Sequence, residues 1–153
     1  MEHGIIEREI HIDASPEVVY QVVSDPQHLC QWWPDEADFQ PIPGSRGEIA
    51  FGDRSTPDAK VVALTVVEAD PSWRFSFRWV YENDPATPEN SLLVTFDLTP
   101  SGTGTLLRFT ETGFREKGWE AAVLEQNYRD HERGWDFFLP RLVAYAARTV
   151  SVR

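Results

Sequence analysis

The sequence predicts an α+β fold in which a curved antiparallel β-sheet wraps around a long C-terminal α-helix. Strand-like segments fill the middle of the chain and are joined by short turns, which is typical of an antiparallel meander. Two short helices interrupt this pattern after the first strand. The C-terminal segment carries apolar side chains at helical spacing on one stripe, namely Tyr128, Trp135, Phe138, Leu142, Tyr145 and Ala146. Because such a stripe must be buried, we expect this helix to lie on the inner face of the sheet.

The N-terminal elements follow from residue patterns. Isoleucines alternate with polar side chains over residues 4–13, which indicates a half-buried strand. Ser15 is a suitable N-cap and Pro16 suits the first helical position, so a short helix begins there. A second short helix is predicted at residues 26–32. Further strands are predicted at residues 37–42, 48–52, 60–69, 73–81, 90–99 and 105–112.

The C-terminal third is predicted to be helical. A short helix or ordered crossing is expected at residues 116–126, followed by the long helix at residues 128–149. Gly134 and Pro140 interrupt its pattern, and Pro140 should bend it because proline cannot donate to the carbonyl of Asp136. Since no repeat or linker separates these elements, we expect residues 1–153 to form one domain.

The strand at residues 73–81 has the clearest pattern in the chain. Its odd positions place five aromatic rings on one face: Trp73, Phe75, Phe77, Trp79 and Tyr81. Such rings most often fill a core, and the pattern by itself leaves a filled core and a cavity equally open. Large rigid rings from the sheet and the helix do not easily interdigitate to full density, which favours a cavity.

The chain resembles the START/Bet v 1-like (SRPBCC) helix-grip superfamily and, within it, the family of activator of Hsp90 ATPase homologues (AHSA1-like). The resemblance covers nearly the whole chain. It rests on Ala14-Ser15-Pro16-Glu17-Val18-Val19-Tyr20, Ser24-Asp25-Pro26, Leu29, Trp32-Trp33-Pro34, Pro43-Gly44-Ser45-Arg46-Gly47, Asp70-Pro71 and Gly134-Trp135-Asp136-Phe137-Phe138-Leu139. The superfamily includes lipid carriers, polyketide cyclases, hormone receptors and co-chaperone domains, so the resemblance implies a fold more than an activity.

Three functional hypotheses follow. The first is binding of a small hydrophobic, lipid- or polyketide-like molecule between the sheet and the C-terminal helix. The second is a stress-related chaperone cofactor that acts through its surface, and the third is a cyclase- or hydrolase-like enzyme. An interior cavity above about 300 Å³ would favour ligand binding or catalysis. A filled interior with an exposed apolar patch would favour a partner surface.

A set of candidate cavity-wall residues follows from the strand faces, the helix stripe and the tryptophan pair. They are Trp32, Trp33, Phe75, Phe77, Trp79, Tyr81, Phe96, Phe109, Glu111, Trp135, Phe138 and Leu142. Trp32 and Trp33 are a lid or wall of the cavity, or a plug that packs the short helices onto the sheet, and both roles are compatible because indole rings pack and donate hydrogen bonds. Glu111 is either a base in an apolar cavity or a strand-end residue paired with Arg46 or Arg115.

Composition excludes several classes of partner. The net charge of −11 disfavours nucleic acid and anionic membrane surfaces. Cys30 is the only cysteine, so no internal disulfide forms and a reduced cytoplasm is the expected location. No metal site, catalytic motif or cofactor is predicted, and no segment is suited to membrane insertion. The sequence leaves open a homodimer and a chaperone partner.

Overall fold

A seven-stranded antiparallel sheet and a long C-terminal helix dominate the protein, seen here in a computed structural model that describes residues 4–53, 55–80 and 90–151. The strands are β1 (Ile5–Ile12), β2 (Glu36–Asp38), β3 (Arg46–Phe51), β4 (Lys60–Asp70), β5 (Arg74–Val80), β6 (Leu92–Ser101) and β7 (Gly104–Thr112). The helices are α1 (Pro16–Ser24), α2 (Pro26–Leu29) and α3 (Ala121–Ser151). This is the predicted α+β helix-grip architecture.

The sheet order is β1-β7-β6-β5-β4-β3-β2, so the first strand lies beside the last. β1 pairs with β7 in a register that sets Ile6 opposite Glu111 and Arg8 opposite Phe109. The other neighbours in the sheet are also neighbours in sequence, as expected for hairpins joined by short turns. β1 is therefore an edge strand of the sheet and pairs with β7, the last strand in the sequence.

Local signals in the sequence set the two short helices. The Ser15 hydroxyl accepts a hydrogen bond from the Val18 N–H at 3.3 Å, and Pro16 occupies the first turn of α1. The Asp25 carboxylate accepts from the Gln27 N–H at 2.8 Å and caps α2. α2 ends at Leu29, three residues earlier than predicted. The chain then turns, and the two tryptophans that follow pack against rings of the sheet.

The second strand is also shorter than predicted. β2 covers only Glu36–Asp38, and the chain then forms a turn in which the Ser45 N–H bonds the Ile42 carbonyl at 3.0 Å. Pro41 and Pro43 lie in this segment and have no N–H to give to a strand ladder. The turn replaces the strand that was expected up to residue 42.

Trp73 does not belong to the inner face of the sheet, contrary to the prediction. It lies in the turn before β5, where its N–H bonds the Asp70 carbonyl at 2.9 Å and Ser72 has a φ of 69°. Its side chain is 65% exposed. The alternation of the strand starts only at Arg74. Trp73 therefore lies outside the row of inward-facing rings that alternation predicts. Tyr81, at the other end of the row, lies outside the described residues.

α3 is one helix of 31 residues, where two helical segments had been predicted. It begins at Ala121 and continues through the expected junction near residue 127. Pro140 lies inside it without ending it. One proline removes one backbone hydrogen bond, and the packing of a long apolar stripe offsets such a loss.

Polar contacts hold α3 against the edge strand β1. The Arg8 guanidinium bonds the Asp136 carboxylate at 3.0 Å and the Glu132 carboxylate at 3.1 Å. The Tyr128 hydroxyl donates to the Ile5 carbonyl at 3.0 Å. The inner side of α3 buries Trp135, Leu139, Leu142 and Ala146 against the sheet. No helix in the described part of the chain is long and apolar enough to cross a membrane.

Candidate functional site

A cleft of about 780 Å³ opens at one end of the interior, between α3 and the strands β3 to β5. The turn after α2 and the segment that leads into β4 complete its walls. Its lining residues are Trp33, Phe51, Gly52, Asp58, Lys60, Trp79, Asn127, Asp130, His131, Gly134, Trp135 and Phe138. Five of these residues are tryptophans or phenylalanines, and the charged residues are Asp58, Lys60 and Asp130.

Ten of the twelve predicted wall residues divide into two groups; Glu111 is described separately below, and Tyr81 lies outside the described residues. Trp33, Trp79, Trp135 and Phe138 line the cleft. The others lie deeper, in the hydrophobic core, and do not line the cleft: Trp32, Phe75, Phe77, Phe96, Phe109 and Leu142. The cleft lies at the end of the interior near Trp79.

Ring packing explains why the deeper interior is filled. The rings of Phe109 and Trp135 have centroids 4.5 Å apart, and those of Trp33 and Trp135 are 4.9 Å apart. Phe96 contacts Phe109 at 5.6 Å. These distances are typical of tilted and edge-to-face aromatic pairs. Rings from the sheet and from α3 thus interlock at depth, where these aromatic side chains belong to the hydrophobic core.

Trp33 acts as a plug and also forms part of the cleft wall. Its ring lies next to five others, those of Trp32, Phe51, Phe77, Trp79 and Trp135. Trp32 is completely buried and donates its indole N–H to the Val22 carbonyl at 3.0 Å, which ties it to α1. The tryptophan pair therefore fixes the short helices to the sheet, and Trp33 presents its remaining surface to the cleft.

Glu111 is a charged residue buried behind the wall of the cleft. Its carboxylate is 0% exposed and accepts hydrogen bonds from the indole N–H of Trp79 at 2.8 Å and of Trp135 at 2.9 Å. The third partner is Nδ1 of His131 at 2.9 Å. These contacts replace the predicted ion pair with Arg46 or Arg115. Buried carboxylates need such donors, because an unpaired buried charge is very costly.

His131 is the residue of the site that the sequence interpretation missed. Burial lowers the pKa of its imidazole, but the charge of Glu111 and the hydrogen bond to it outweigh burial, so the pKa lies above its usual value of 6.5. A signal was present in the sequence. His131 lies four residues before Trp135 and three after Tyr128, so the helical period that turns Trp135 inward also turns His131 inward.

We expect the stability of the protein to depend on pH through His131. Because the folded pKa is raised, the protonated ring stabilises the fold fully below about pH 6.5, and this contribution is lost as pH rises through the folded pKa. The free energy of unfolding of the native protein, minus that of His131→Gln, should therefore shrink as the pH rises above about 6.5. Urea unfolding at a series of pH values measures it. A difference that stays constant with pH would contradict the assignment.

The mouth of the cleft carries a small number of further charges. Lys60, at the start of β4, and Asp58 both line it and are exposed. Asp130 also lines it, but its carboxylate bonds Arg133 and accepts from the Gln126 amide at 2.9 Å. Within the described residues, no group of three or more His, Cys, Asp or Glu side chains could hold a metal ion.

Comparison with known families decides what kind of protein this is. Residues 13–147 match the sequence model of the family described as Activator of Hsp90 ATPase homolog 1-like protein. The chain belongs to this family. The AHSA1-like match spans α1, α2, β2 to β7 and almost all of α3, and so includes every residue that lines the cleft. Among curated proteins, no sequence match was found.

Solved structures share the fold of this AHSA1-like chain. Protein MLL2253 from Mesorhizobium loti is 25% identical, with a TM-score of 0.75 over 95% of this chain and 98% of its own. DynU16, a protein in the dynemicin biosynthetic locus, is 22% identical, with a TM-score of 0.70 over 93% of this chain and 46% of its own. The Aha1 dimer from Colwellia psychrerythraea is 22% identical, with a TM-score of 0.69 over 91% of this chain and 92% of its own.

Proposed function

We propose that this AHSA1-like protein binds a small, mostly apolar, ring-containing molecule in the cleft beside Trp33, Trp79 and Trp135. The observation that supports the proposal is the cleft itself. Its volume of about 780 Å³ exceeds the size at which small-molecule sites begin, about 300 Å³. Its aromatic walls would hold a flat ring by stacking and by removing apolar surface from water.

The wall is stiff enough to serve as a binding surface. Trp79 and Trp135 are both tied to the Glu111 carboxylate through their indole N–H groups. Trp33 is held by contacts with both of them, at 5.3 Å and 4.9 Å. A ligand that stacks on these rings would not have to order them first, and such preorganisation reduces the entropic cost of binding.

The two other hypotheses receive less support. An enzyme that uses Glu111 as its base would need this carboxylate to reach the ligand, but it is completely buried and already accepts three hydrogen bonds. A chaperone cofactor would need an apolar outer surface. Trp73 and Phe137 are among eight large apolar side chains exposed in the described part of the chain, and such residues are ordinary on protein surfaces unless they form a large continuous patch. Ligand binding in the cleft is therefore the function that the geometry favours.

Gly134 allows a direct test of where the ligand binds. It lies on the cleft side of α3, and a Cβ added there would meet no atom within 4 Å. Gly134→Leu should therefore fill part of the cleft without a clash, whereas Gly134→Ala adds only a methyl group. Both changes should raise the free energy of unfolding by about 0.5–1 kcal/mol, because glycine is a poor helix former.

The binding probe is the neutral fluorescent dye N-phenyl-1-naphthylamine, followed by its emission and by tryptophan quenching. We expect the leucine variant to bind the dye at least tenfold more weakly than the native protein, and the alanine variant to bind it within about twofold. Since both variants should be more stable than the native protein, weaker binding cannot be attributed to misfolding. Equal binding by the leucine variant, or no binding by any of the three proteins, would contradict the proposal.

A further inference from the structure

We propose that the cleft selects an anionic ligand, an aromatic or otherwise apolar acid, whose carboxylate or phenolate oxygen is bound by Nε2–H of His131 and by the ammonium group of Lys60. This inference rests on the proposed function and adds the chemical class of the ligand. It assigns to His131 the polar contact that orients the molecule.

The geometry around His131 leaves one atom for a ligand. A carboxylate can only accept, so the 2.9 Å contact with Glu111 requires a proton on Nδ1. The imidazole lies at 5.3 Å from the Trp79 ring and at 5.5 Å, edge to face, from the Phe114 ring. These contacts fix its plane. Nε2 has no hydrogen-bond partner among the described residues, and the side chain lines the cleft, so Nε2 is the atom available there.

The charge state of His131 determines what Nε2 can bind. Neutral imidazole with Nδ1–H has a bare Nε2 that accepts, and the buried Glu111 charge behind it would repel an anion. Protonated imidazole forms a neutral pair with Glu111 and offers an N–H donor to the cleft. The fold favours the protonated ring, since the pKa of His131 is raised by Glu111. Binding of an anion and protonation of His131 should therefore strengthen each other.

Lys60 supplies the second positive charge. It lines the same cleft, and no ion pair involves it among the described residues. Asp58 is the acidic group that opposes it at the mouth. Asp130, the other acid on the wall, already bonds Arg133. Once His131 is protonated, its pair with Glu111 is neutral, and a ligand anion meets the Nε2–H donor of His131 and the ammonium group of Lys60 against the carboxylate of Asp58.

The overall negative charge of the protein does not reverse this local preference. The net charge is −11, but the 25 acidic and 14 basic residues that produce it occur along the whole sequence. Exposed charges separated by more than about 8 Å are largely screened at physiological ionic strength. A ligand oxygen within hydrogen-bonding distance of His131 and Lys60 would interact mainly with these two groups. Water and salt screen charges less inside a partly enclosed cleft than on the open surface.

Two probes of almost equal shape test the inference: 1-naphthaleneacetic acid and its neutral amide, 1-naphthaleneacetamide. The acid remains ionised at about pH 6 and above, because carboxyl groups of this kind titrate near pH 4. Tryptophan quenching at about pH 6 and about pH 8.5 gives the dissociation constants. We expect the acid to bind at least about fivefold more tightly at the lower pH, and the amide to bind equally at both.

His131→Gln and Lys60→Gln are the informative variants. His131→Gln should abolish the pH dependence of acid binding, and an unchanged near-ultraviolet circular dichroism spectrum would show that the aromatic wall of the cleft is intact. Lys60→Gln should weaken acid binding at both pH values and keep a pH dependence that is moved to higher pH, because Lys60 lowers the pKa of His131. If acid and amide bind alike at both pH values, the preference for an anion is wrong while ligand binding stands. If neither binds, both proposals fail.

Discussion

Replacing Glu111 with glutamine is expected to lower the free energy of unfolding by about 3 kcal/mol. The carboxylate accepts from the two indoles and from His131. The amide of glutamine has one oxygen to accept and one NH2 group that must face a donor. At least one buried N–H therefore loses its partner, and the histidine loses its counter-charge. Urea unfolding measures the loss as a lower midpoint at constant slope.

Glu7→Gln is the matched control for this change. Glu7 lies on the neighbouring strand β1 and pairs with Arg108, but both side chains are exposed. An exposed ion pair contributes about 0–1 kcal/mol, so the same chemical change should have little effect there. Equal losses in the two variants would show that the buried site has no special role in holding the sheet and α3 together.

Trp33→Ala is expected to cost about 3–5 kcal/mol of stability, the range for removing a large aromatic side chain from a core. The indole is only 7% exposed and contacts rings from the turn after α2, from the sheet and from α3. Its removal would leave a cavity where three layers of the structure meet. The near-ultraviolet circular dichroism should also weaken, because this ring takes part in a dense aromatic cluster.

Trp73→Ala removes the same side chain from the surface and serves as its control. With 65% of its area exposed, Trp73 should contribute less than about 1 kcal/mol. Thermal or urea unfolding of both variants compares their losses of stability. A much larger loss for Trp33→Ala identifies Trp33 as a structural plug and Trp73 as a surface residue. If Trp33→Ala were as stable as Trp73→Ala, Trp33 would be a movable lid and not a structural plug.

Local patterns in the sequence were sufficient for most of the fold. Alternation predicted β4 to β7 to within about two residues at most ends, because each strand has one buried face. Ser15 and Pro16 located the start of α1 because capping depends only on adjacent residues. Trp73 was misplaced because alternation does not reveal where a turn ends. The start of α3 was misplaced because packing can extend a helix through weak local signals.

The site was less predictable because it depends on contacts between distant residues. Glu111 and His131 are 20 residues apart in sequence and lie on different elements. Their contact depends on the orientation of α3 about its own axis relative to β7. Helical periodicity restricts this orientation but does not determine it. The ring-rich strand and helix stripe did point to this region. How much of this region is filled depends on how closely the aromatic rings pack against one another. Knowing which side chains point inward from each strand does not determine that packing.

The position of β1 at the edge of the sheet affects how the chain can fold. Glu7 and Arg108 face each other across 101 residues, and Arg8 meets Asp136 across 128. During synthesis, the first strand therefore emerges long before β7 and α3, the elements that hold it. Contacts between such distant residues slow folding, to milliseconds or longer for β-rich topologies. The edge of β1 stays unpaired until β7 and α3 have been synthesised. A nascent chain would therefore benefit from protection against aggregation until α3 has been released.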